Sequence, residues 1–356
     1  ATNLPGRVAG VIIQGDICYG VFAKGYPGPG EDFGRAESVL VARYSLPGGQ
    51  CLGVLEEMPF ETVITGSARG PKAVYVGTRN GLLAFPLAGG PVKRLTEKDG
   101  LPSDKILSVA WFRGNLYLGF GPRYEEYRAD KSGLARFDPL RNRSAVIASS
   151  GNMEIKNDLD GGEPYQVHAI VADDKHGCLW LAIEGSRDGL WRLIPEKSAI
   201  ERVAPNVRGP IRHIGWSKGL LLCGFAWGIL SFDPASNAIA LLLGTDPDMD
   251  TDYRAYGFDA QPRFGNATLG NWPFLDVALI EDKLIEGGPR QSLVLHDAGK
   301  SSHDFPYSKT FFGIVQETPY GVLAVDMEGR AFLIRSKKGQ ITQALGAERV
   351  EQGVRR

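Results

Sequence analysis

The stretch Gly100–Phe120, GLPSDKILSVAWFRGNLYLGF, carries the clearest strand pattern of the chain, and it is followed by GLARFDP at Gly133–Pro139. Two short apolar segments, ILSVAWF and NLYLGF, flank the tight turn RG, and a third apolar segment begins with a Gly-Leu pair. Short apolar runs bounded by glycine-containing turns are typical of strands in an all-β protein. The sequence therefore predicts an antiparallel hairpin that is extended by a third strand.

The same phrase recurs along the chain as an apolar strand that ends in a small residue, a turn, and a second strand. The further copies are VYVGT–RN–GLLAF at 74–85, LWLAI with GLWRL at 179–193, LLCGF–AW–GILSFDP at 221–234, VLAVDMEGRAFLI at 322–334, and the degenerate ICYGV with SVLVARY at 17–44 and KLIEGG with SLVLHD at 283–297. Together with the copy at 116–139, these segments make seven units.

Most units have one further apolar strand before them and one after them, which gives four strands in about 40 residues. This is the construction of a β-propeller blade, and neighbouring blades must stack because a four-stranded sheet cannot bury both of its faces alone. We therefore expect one all-β domain over residues 1–356, a seven-bladed β-propeller with four antiparallel strands per blade. The expected blades are 8–57, 60–97, 104–148, 166–203, 210–243, 273–303 and 310–345.

Composition excludes several classes of function. The formal net charge of the 356 residues is −1, so no overall attraction to nucleic acid is expected. No apolar run approaches the ~20 residues of a membrane-spanning helix, so no membrane insertion is expected. The four cysteines have no metal-ligand spacing, and three lie in or beside apolar strands, where a free thiol is usually a small apolar side chain.

Residues 100–139 closely resemble the two-component-regulator propeller repeat, through GLPSDKILSVAWFRGNLYLGF and GLARFDP. The segments around Leu179 and Leu221 resemble it less closely. That bacterial family is named for the extracellular sensor portions of hybrid histidine kinases. The resemblance implies a soluble sensor-like propeller in the periplasm or outside the cell.

Long insertions interrupt the repeats only between the second and third strands of a unit or between consecutive units. They are 24–37, 121–132, 149–165, 184–188 and 244–272. In a four-stranded meander both kinds of connection emerge at the same end of the sheet, so all five are expected on one face. Long loops carried by a rigid scaffold commonly bind ligands. The sequence therefore predicts a binding surface on this face.

Polar side chains are expected at the mouth of the central channel on the same face. The first strands of three consecutive units begin with His168, Arg212, His213 and Asp276. The connections after the second strands add Arg79, Glu184, Trp227 and Glu286. Titratable groups gathered at a cavity mouth are typical of a site, although hydrogen-bonded residues that line a channel would give the same pattern.

The insertions themselves supply aromatic side chains suited to binding sugars or peptides, namely Tyr124, Tyr127, Tyr253, Tyr256 and Trp272. One insertion also places Asp246, Asp248 and Asp250 at alternate positions, where carboxylates could bind calcium. It lacks the glycine and glutamate of a helix-loop-helix calcium site, so a solvated acidic loop is the other interpretation. No cofactor motif occurs in the sequence.

Two classes of function remain. The first is a binding or sensing module whose loop-bearing face takes a small-molecule or carbohydrate ligand or a protein partner. The second is a propeller hydrolase or lyase that acts on a carbohydrate or small ester, with His168 or His213 as base and Glu184, Asp276 or Glu286 assisting. The absence of a recognisable catalytic motif favours the first class, and the fold alone cannot separate them.

Overall fold

The structure is a computed structural model. It describes residues 7–25, 35–46, 48–121, 132–149, 165–185, 188–203, 209, 211–225, 228–245, 262–264, 266–267, 276–288, 291–297, 303–304, 312–326, 331–337 and 340–345. Within these ranges every regular element is a β-strand, except for two three-residue 3-10 turns at Glu97–Asp99 and Pro195–Lys197. The all-β class predicted from the sequence is confirmed.

Sheet 1 contains seven strands paired in chain order: β1 (Arg7–Gln14), β2 (Ile17–Lys24), β3 (Arg35–Ser45), β4 (Cys51–Arg69), β5 (Ala73–Thr78), β6 (Gly81–Pro86) and β7 (Lys93–Leu95). Strand β4 has 19 residues; it neighbours β3 and pairs with β5 from Ile64 onward. The sequence predicted a blade boundary at residues 58–59, yet β4 continues through Pro59.

The shared strand changes the count of sheets. The first two expected blades form a single sheet joined by β4, so the described strands make six sheets. The predicted number of seven separate blades is therefore not confirmed. The prediction of four antiparallel strands per sheet is confirmed for four of the six sheets that the described strands form.

Sheets 2 and 3 follow the predicted pattern of four antiparallel strands. Sheet 2 contains β8 (Ile106–Phe112), β9 (Asn115–Phe120), β10 (Gly133–Asp138) and β11 (Arg143–Ser149). Sheet 3 contains β12 (Tyr165–Asp173), β13 (Cys178–Gly185), β14 (Gly189–Ile194) and β15 (Ala199–Arg202). Strand β13 is buried on both faces from Cys178 to Glu184, which explains why its sequence is a continuous apolar run rather than an alternating one.

Sheets 4, 5 and 6 complete the described strands. Sheet 4 contains β16 (Ile211–Ser217), β17 (Leu220–Phe225), β18 (Gly228–Asp233), β19 (Ala238–Thr245) and the short parallel β20 (Asn266–Ala267). Sheet 5 contains β21 (Asp276–Ile280), β22 (Lys283–Gly288), β23 (Gln291–Asp297) and β24 (His303–Asp304). Sheet 6 contains β25 (Phe312–Thr318), β26 (Gly321–Asp326), β27 (Ala331–Lys337) and β28 (Gln340–Leu345).

The chain divides into two compact units. The terminal unit comprises Ala1–Lys24, Ala42–Val54 and Arg212–Arg356, and the central unit comprises Gly25–Val41 and Leu55–Ile211. Within the central unit, buried side chains of β5 and β6 pack against sheet 2, and those of sheet 2 pack against sheet 3. Within the terminal unit, sheet 5 packs against sheet 4 on one face and against sheet 6 on the other.

Close approach between sheets explains the small residue that ends the second strand of the repeat. A Cβ atom added at Gly119 would lie 2.3 Å from the carbonyl oxygen of Val167 in sheet 3 and 2.3 Å from Oγ of Ser108. That same carbonyl accepts a hydrogen bond of 2.7 Å from Ser108 Oγ. Glycine is therefore required at this position by interior packing, since a side chain would occupy the place of the hydrogen bond.

Candidate functional site

A β-bulge positions His168. Strand β12 pairs with β13, and the register shifts between Val167 and Ala169, so His168 is the extra residue. Equivalent shifts occur in the first strand of the repeat at Ile64/Gly66, Ile106/Ser108, Val8/Gly10 and Phe312/Ile314. A bulge redirects a side chain and breaks the alternation of the strand. The sequence does not predict this bulge, because an apolar run does not reveal where its register changes.

The bulge brings His168 to the carboxylate of Glu184. Nε2 of His168 lies 2.6 Å from Oε2 of Glu184, and the two side chains are 22% and 3% exposed. The N–H bond of the ring does not point along the line from Nε2 of His168 to Oε2 of Glu184. The pair therefore makes a close polar contact rather than a linear hydrogen bond. Glu184 lies opposite Gln166 at the end of sheet 3 where β12 begins and β13 ends, which we call the loop end of that sheet. A buried carboxylate that holds a partly exposed imidazole can orient the ring toward a ligand.

A second histidine–carboxylate pair lies at the opposite end of the same two strands. Nδ1 of His176 lies 2.7 Å from Oδ2 of Asp173, and these side chains are 28% and 3% exposed. Asp173 also accepts hydrogen bonds from Trp180 Nε1 at 3.0 Å and from the backbone N–H of His176 at 3.0 Å. Burial opposes ionisation of Asp173, but these hydrogen bonds outweigh it and lower the pKa of that carboxyl. The cluster fastens the β12–β13 turn, which accounts for its polar groups structurally.

Arg79 lies in the turn between β5 and β6, at the end of sheet 1 where β5 ends. Its backbone N–H donates to the carbonyl of Val63 at 3.1 Å, which fixes the turn. The side chain is half-buried, and its Nε atom is buried without a hydrogen-bond partner among the described residues. Thr62 on the neighbouring strand β4 is 4% exposed, and its Oγ1 has no partner among those residues either.

Glu286 does not lie in a turn, as the sequence analysis had placed it. It belongs to strand β22, opposite Val277 on β21 and Val294 on β23, and it is 2% exposed. Its Oε2 lies 2.7 Å from Nε2 of His296, which is also 2% exposed. The pair is interior to sheet 5, and His296 was not recognised from the sequence because its partner comes from a neighbouring strand.

The remaining predicted residues of strand starts belong to the terminal unit. Arg212 and His213 lie in β16, and Asp276 begins β21; the side chains of Arg212 and Asp276 lie outside the described part of the structure. His213 is partly buried, and a Cβ atom added at Gly215 would lie 2.9 Å from its Nε2. The ring therefore packs along β16 over Gly215. Among the predicted residues, the structure brings His168 and Glu184 into contact.

Several predicted site residues lie outside the described residues and stay predictions. They are Tyr124, Tyr127, Trp227, Tyr253, Tyr256, Trp272, Asp246, Asp248 and Asp250. Among the residues that the structure does describe, no group of three or more His, Cys, Asp or Glu side chains is arranged to hold a metal ion. The described residues also include no helix that is long and apolar enough to cross a membrane.

Comparison with solved structures identifies the fold. The β-propeller domain of Cps50 (Swd1) from Myceliophteria thermophila is 12% identical and superimposes with a TM-score of 0.56, over 95% of this chain and 97% of that one. BamB from Moraxella catarrhalis is 13% identical with a TM-score of 0.52, over 91% of this chain and 93% of that one. At such identities the likeness shows the fold alone. The chain is similar in fold to these β-propellers.

The comparisons do not confirm the family that the two-component-regulator repeat predicts. The extracellular domain of a putative hybrid two component system from B. thetaiotaomicron is 13% identical with a TM-score of 0.47, and the match covers 98% of this chain and 58% of that one. No family model matches the chain. No curated protein matches it in sequence. Membership of that family stays a prediction.

Proposed function

We propose that the protein is a ligand-binding or recognition module that uses the loop ends of its sheets. The His168–Glu184 pair supports this proposal most directly. It combines a buried carboxylate with a partly exposed imidazole, and a bulge at the loop end of sheet 3 directs that imidazole. The expected insertions 149–165 and 184–188 attach at this end, so a ligand held there would contact both the loops and the strand residues.

The ligand class that suits this pair is a neutral polar molecule such as a carbohydrate. An imidazole fixed by a carboxylate offers one nitrogen for a hydroxyl group, and the aromatic residues expected in the insertions would provide the apolar surface.

The sheet supplies its own control for the test. His176–Asp173 has almost the same separation and exposure as His168–Glu184, but it lies at the other end of β12 and β13. A panel of neutral mono- and oligosaccharides is screened by thermal shift, and any binding is quantified by calorimetry. We expect His168→Ala and Glu184→Gln to weaken binding at least about tenfold, as loss of a polar contact does, whereas His176→Ala retains it. Equal binding by His168→Ala and the parent protein would rule out the proposed site.

The His168–Glu184 contact also favours a second candidate, a hydrolase or lyase in which His168 acts as the base. A carboxylate beside an imidazole stabilises its protonated form during proton transfer. Chromogenic esters and glycosides distinguish the two candidates: turnover abolished by His168→Ala indicates an enzyme, and binding without turnover indicates a recognition module.

We also propose that the strands form seven blades of a single propeller domain, with β4 shared by the first two. Counted in this way, β1–β4 and β4–β7 add two groups of four strands to the other five sheets. An experimental structure that counted six or eight blades would contradict this proposal.

A further inference from the structure

A hydrogen bond from the neighbouring sheet reaches the bulge that carries His168. Oγ of Ser108, on strand β8 of sheet 2, donates to the carbonyl oxygen of Val167 at 2.7 Å, and this bond is buried. Val167 is the last paired residue before the register of β12 shifts, and His168 follows it as the extra residue. Within the central unit, sheet 2 therefore holds sheet 3 at the peptide bond that leads into His168.

The surroundings of this bond are closely packed. Ser108 is 3% exposed, and Val167 is fully buried. Gly119 lies opposite Ser108 on β9, and a Cβ atom there would lie 2.3 Å from both partners of the bond. The space that a side chain at Gly119 would fill is thus the space that the hydrogen bond occupies. A serine and a glycine of sheet 2 are arranged around one carbonyl group of sheet 3.

Holding this carbonyl group restricts His168. Strand pairing fixes the backbone least at a bulge, because the extra residue has no position opposite it. The peptide bond between Val167 and His168 is planar, so the carbonyl oxygen and the N–H group of His168 turn together. A donor that fixes the oxygen therefore also restricts the direction in which the side chain of His168 leaves the strand. That direction decides whether Nε2 reaches Oε2 of Glu184, 2.6 Å away.

A bond of the same kind occurs between sheets 1 and 2. Oγ1 of Thr65 donates to the carbonyl oxygen of Ile106 at 2.8 Å, and Ile106 is likewise the last paired residue before a bulge. The extra residue there is Leu107, which is apolar and 7% exposed. The two bonds are alike in length and in their place in the repeat. They differ in the side chain that follows the acceptor, so Thr65 is a matched control for Ser108.

We propose that Ser108 is a positioning residue of the ligand site. Its hydroxyl group holds the Val167–His168 peptide and thereby directs the imidazole of His168 toward Glu184 and the ligand. This inference rests on the proposed function for the role of His168 in binding, and it goes further by assigning part of the geometry of the site to the neighbouring sheet. Without the hydroxyl group, the ring is expected to leave its place beside Glu184.

The first measurement needs no ligand. The full chain is labelled with ¹⁵N-histidine, and NMR records the imidazole signals of its five histidines. The signals of His168 are those that His168→Ala removes, and Glu184→Gln gives the reference for a ring that has lost its carboxylate. We expect Ser108→Ala to move the Nε2 signal of His168 in the same direction as Glu184→Gln does. Thr65→Val is expected to leave that signal in place.

The second measurement is the binding of glucose, galactose, mannose and cellobiose by calorimetry. We expect Ser108→Ala to weaken the tightest of these sugars roughly fivefold, the ratio that corresponds to one hydrogen bond, and Thr65→Val to leave its affinity unchanged. Thermal unfolding of both variants is the check on stability. Each loses one hydrogen bond between sheets, so similar decreases in melting temperature are expected. A difference in binding then reflects the position of His168 rather than the stability of the fold.

Three results would overturn the inference: the His168 signals of Ser108→Ala match those of the parent, Thr65→Val moves them equally, or Ser108→Ala binds the sugar like the parent. Failure of the proposed function gives a different result. If no sugar binds the parent protein while Ser108→Ala still moves the His168 signals, the proposed ligand class is wrong and the positioning of His168 by Ser108 stands.

Discussion

The Glu286–His296 pair of sheet 5 occupies two positions that are apolar in the equivalent places of the other sheets. Strand pairing defines these positions, since His296 lies opposite Leu284 and Glu286 lies opposite Val294. The corresponding pairs are Val76 with Phe85, Leu118 with Phe137, Leu181 with Leu193, Cys223 with Phe232, and Ala324 with Ile334. All of these side chains are buried, so the repeat itself supplies apolar residues that fit the two positions.

We expect the two single replacements to lower the free energy of unfolding and the double replacement to leave it unchanged or raise it. His296→Phe leaves the carboxyl group of Glu286 buried without its partner, and removal of one member of a buried polar pair costs about 3–5 kcal/mol in the free energy of unfolding. Glu286→Leu leaves the imidazole without its carboxylate, and we expect a smaller loss because histidine can remain neutral. The double variant takes the pair found in sheet 2, and replacement of a whole buried pair by residues of similar volume is neutral or stabilising by about 1–4 kcal/mol.

Urea denaturation of the parent and the three variants at neutral pH measures these differences, provided that the slopes agree. The reverse exchange, Leu118→Glu with Phe137→His in sheet 2, is the control and should destabilise, because its surroundings evolved around apolar side chains. If the double variant in sheet 5 is less stable than both single variants, the pair is required for the packing of that sheet, and the comparison between repeats is invalid.

Two further predictions concern titratable groups. The pKa of Asp173 is lowered in the folded protein, so its carboxylate stabilises the fold at pH values above the unfolded pKa of about 3.9. This contribution is lost as the pH falls through the folded pKa, and Asp173→Asn should therefore lower the melting temperature much more at pH 7 than at pH 3. Equal losses of melting temperature at the two pH values would contradict this prediction. Burial raises the pKa of the thiols of Cys18, Cys178 and Cys223 to about 12, whereas Cys51 is only partly buried. Ellman's reagent at pH 8 should therefore label Cys51 first and the other three only after denaturation, and rapid labelling of Cys178 or Cys223 would disprove their burial.

Two residues of the candidate site lie at strand ends that the apolar pattern of the sequence predicts. The sequence places His168 and Glu184 at the same end of one predicted sheet. In the structure, Nε2 of His168 lies 2.6 Å from Oε2 of Glu184. Glu286 was selected by the same argument, but it lies one step inside the strand, where it faces a neighbouring strand instead of a turn. A shift of one or two residues in a predicted strand end decides whether a carboxylate is at an edge or in the core.

The sequence by itself determined the all-β class, the four-strand units and the short turns between most strands, because these follow from local patterns of apolar residues and glycine. Only the tertiary structure decided that β4 joins two of these units, that a bulge directs His168 toward Glu184, and that Glu286 is paired with His296 inside sheet 5. The reason is physical: strand formation depends on neighbours along the chain, whereas register and the satisfaction of polar groups depend on residues that are distant in sequence and become neighbours through pairing and packing.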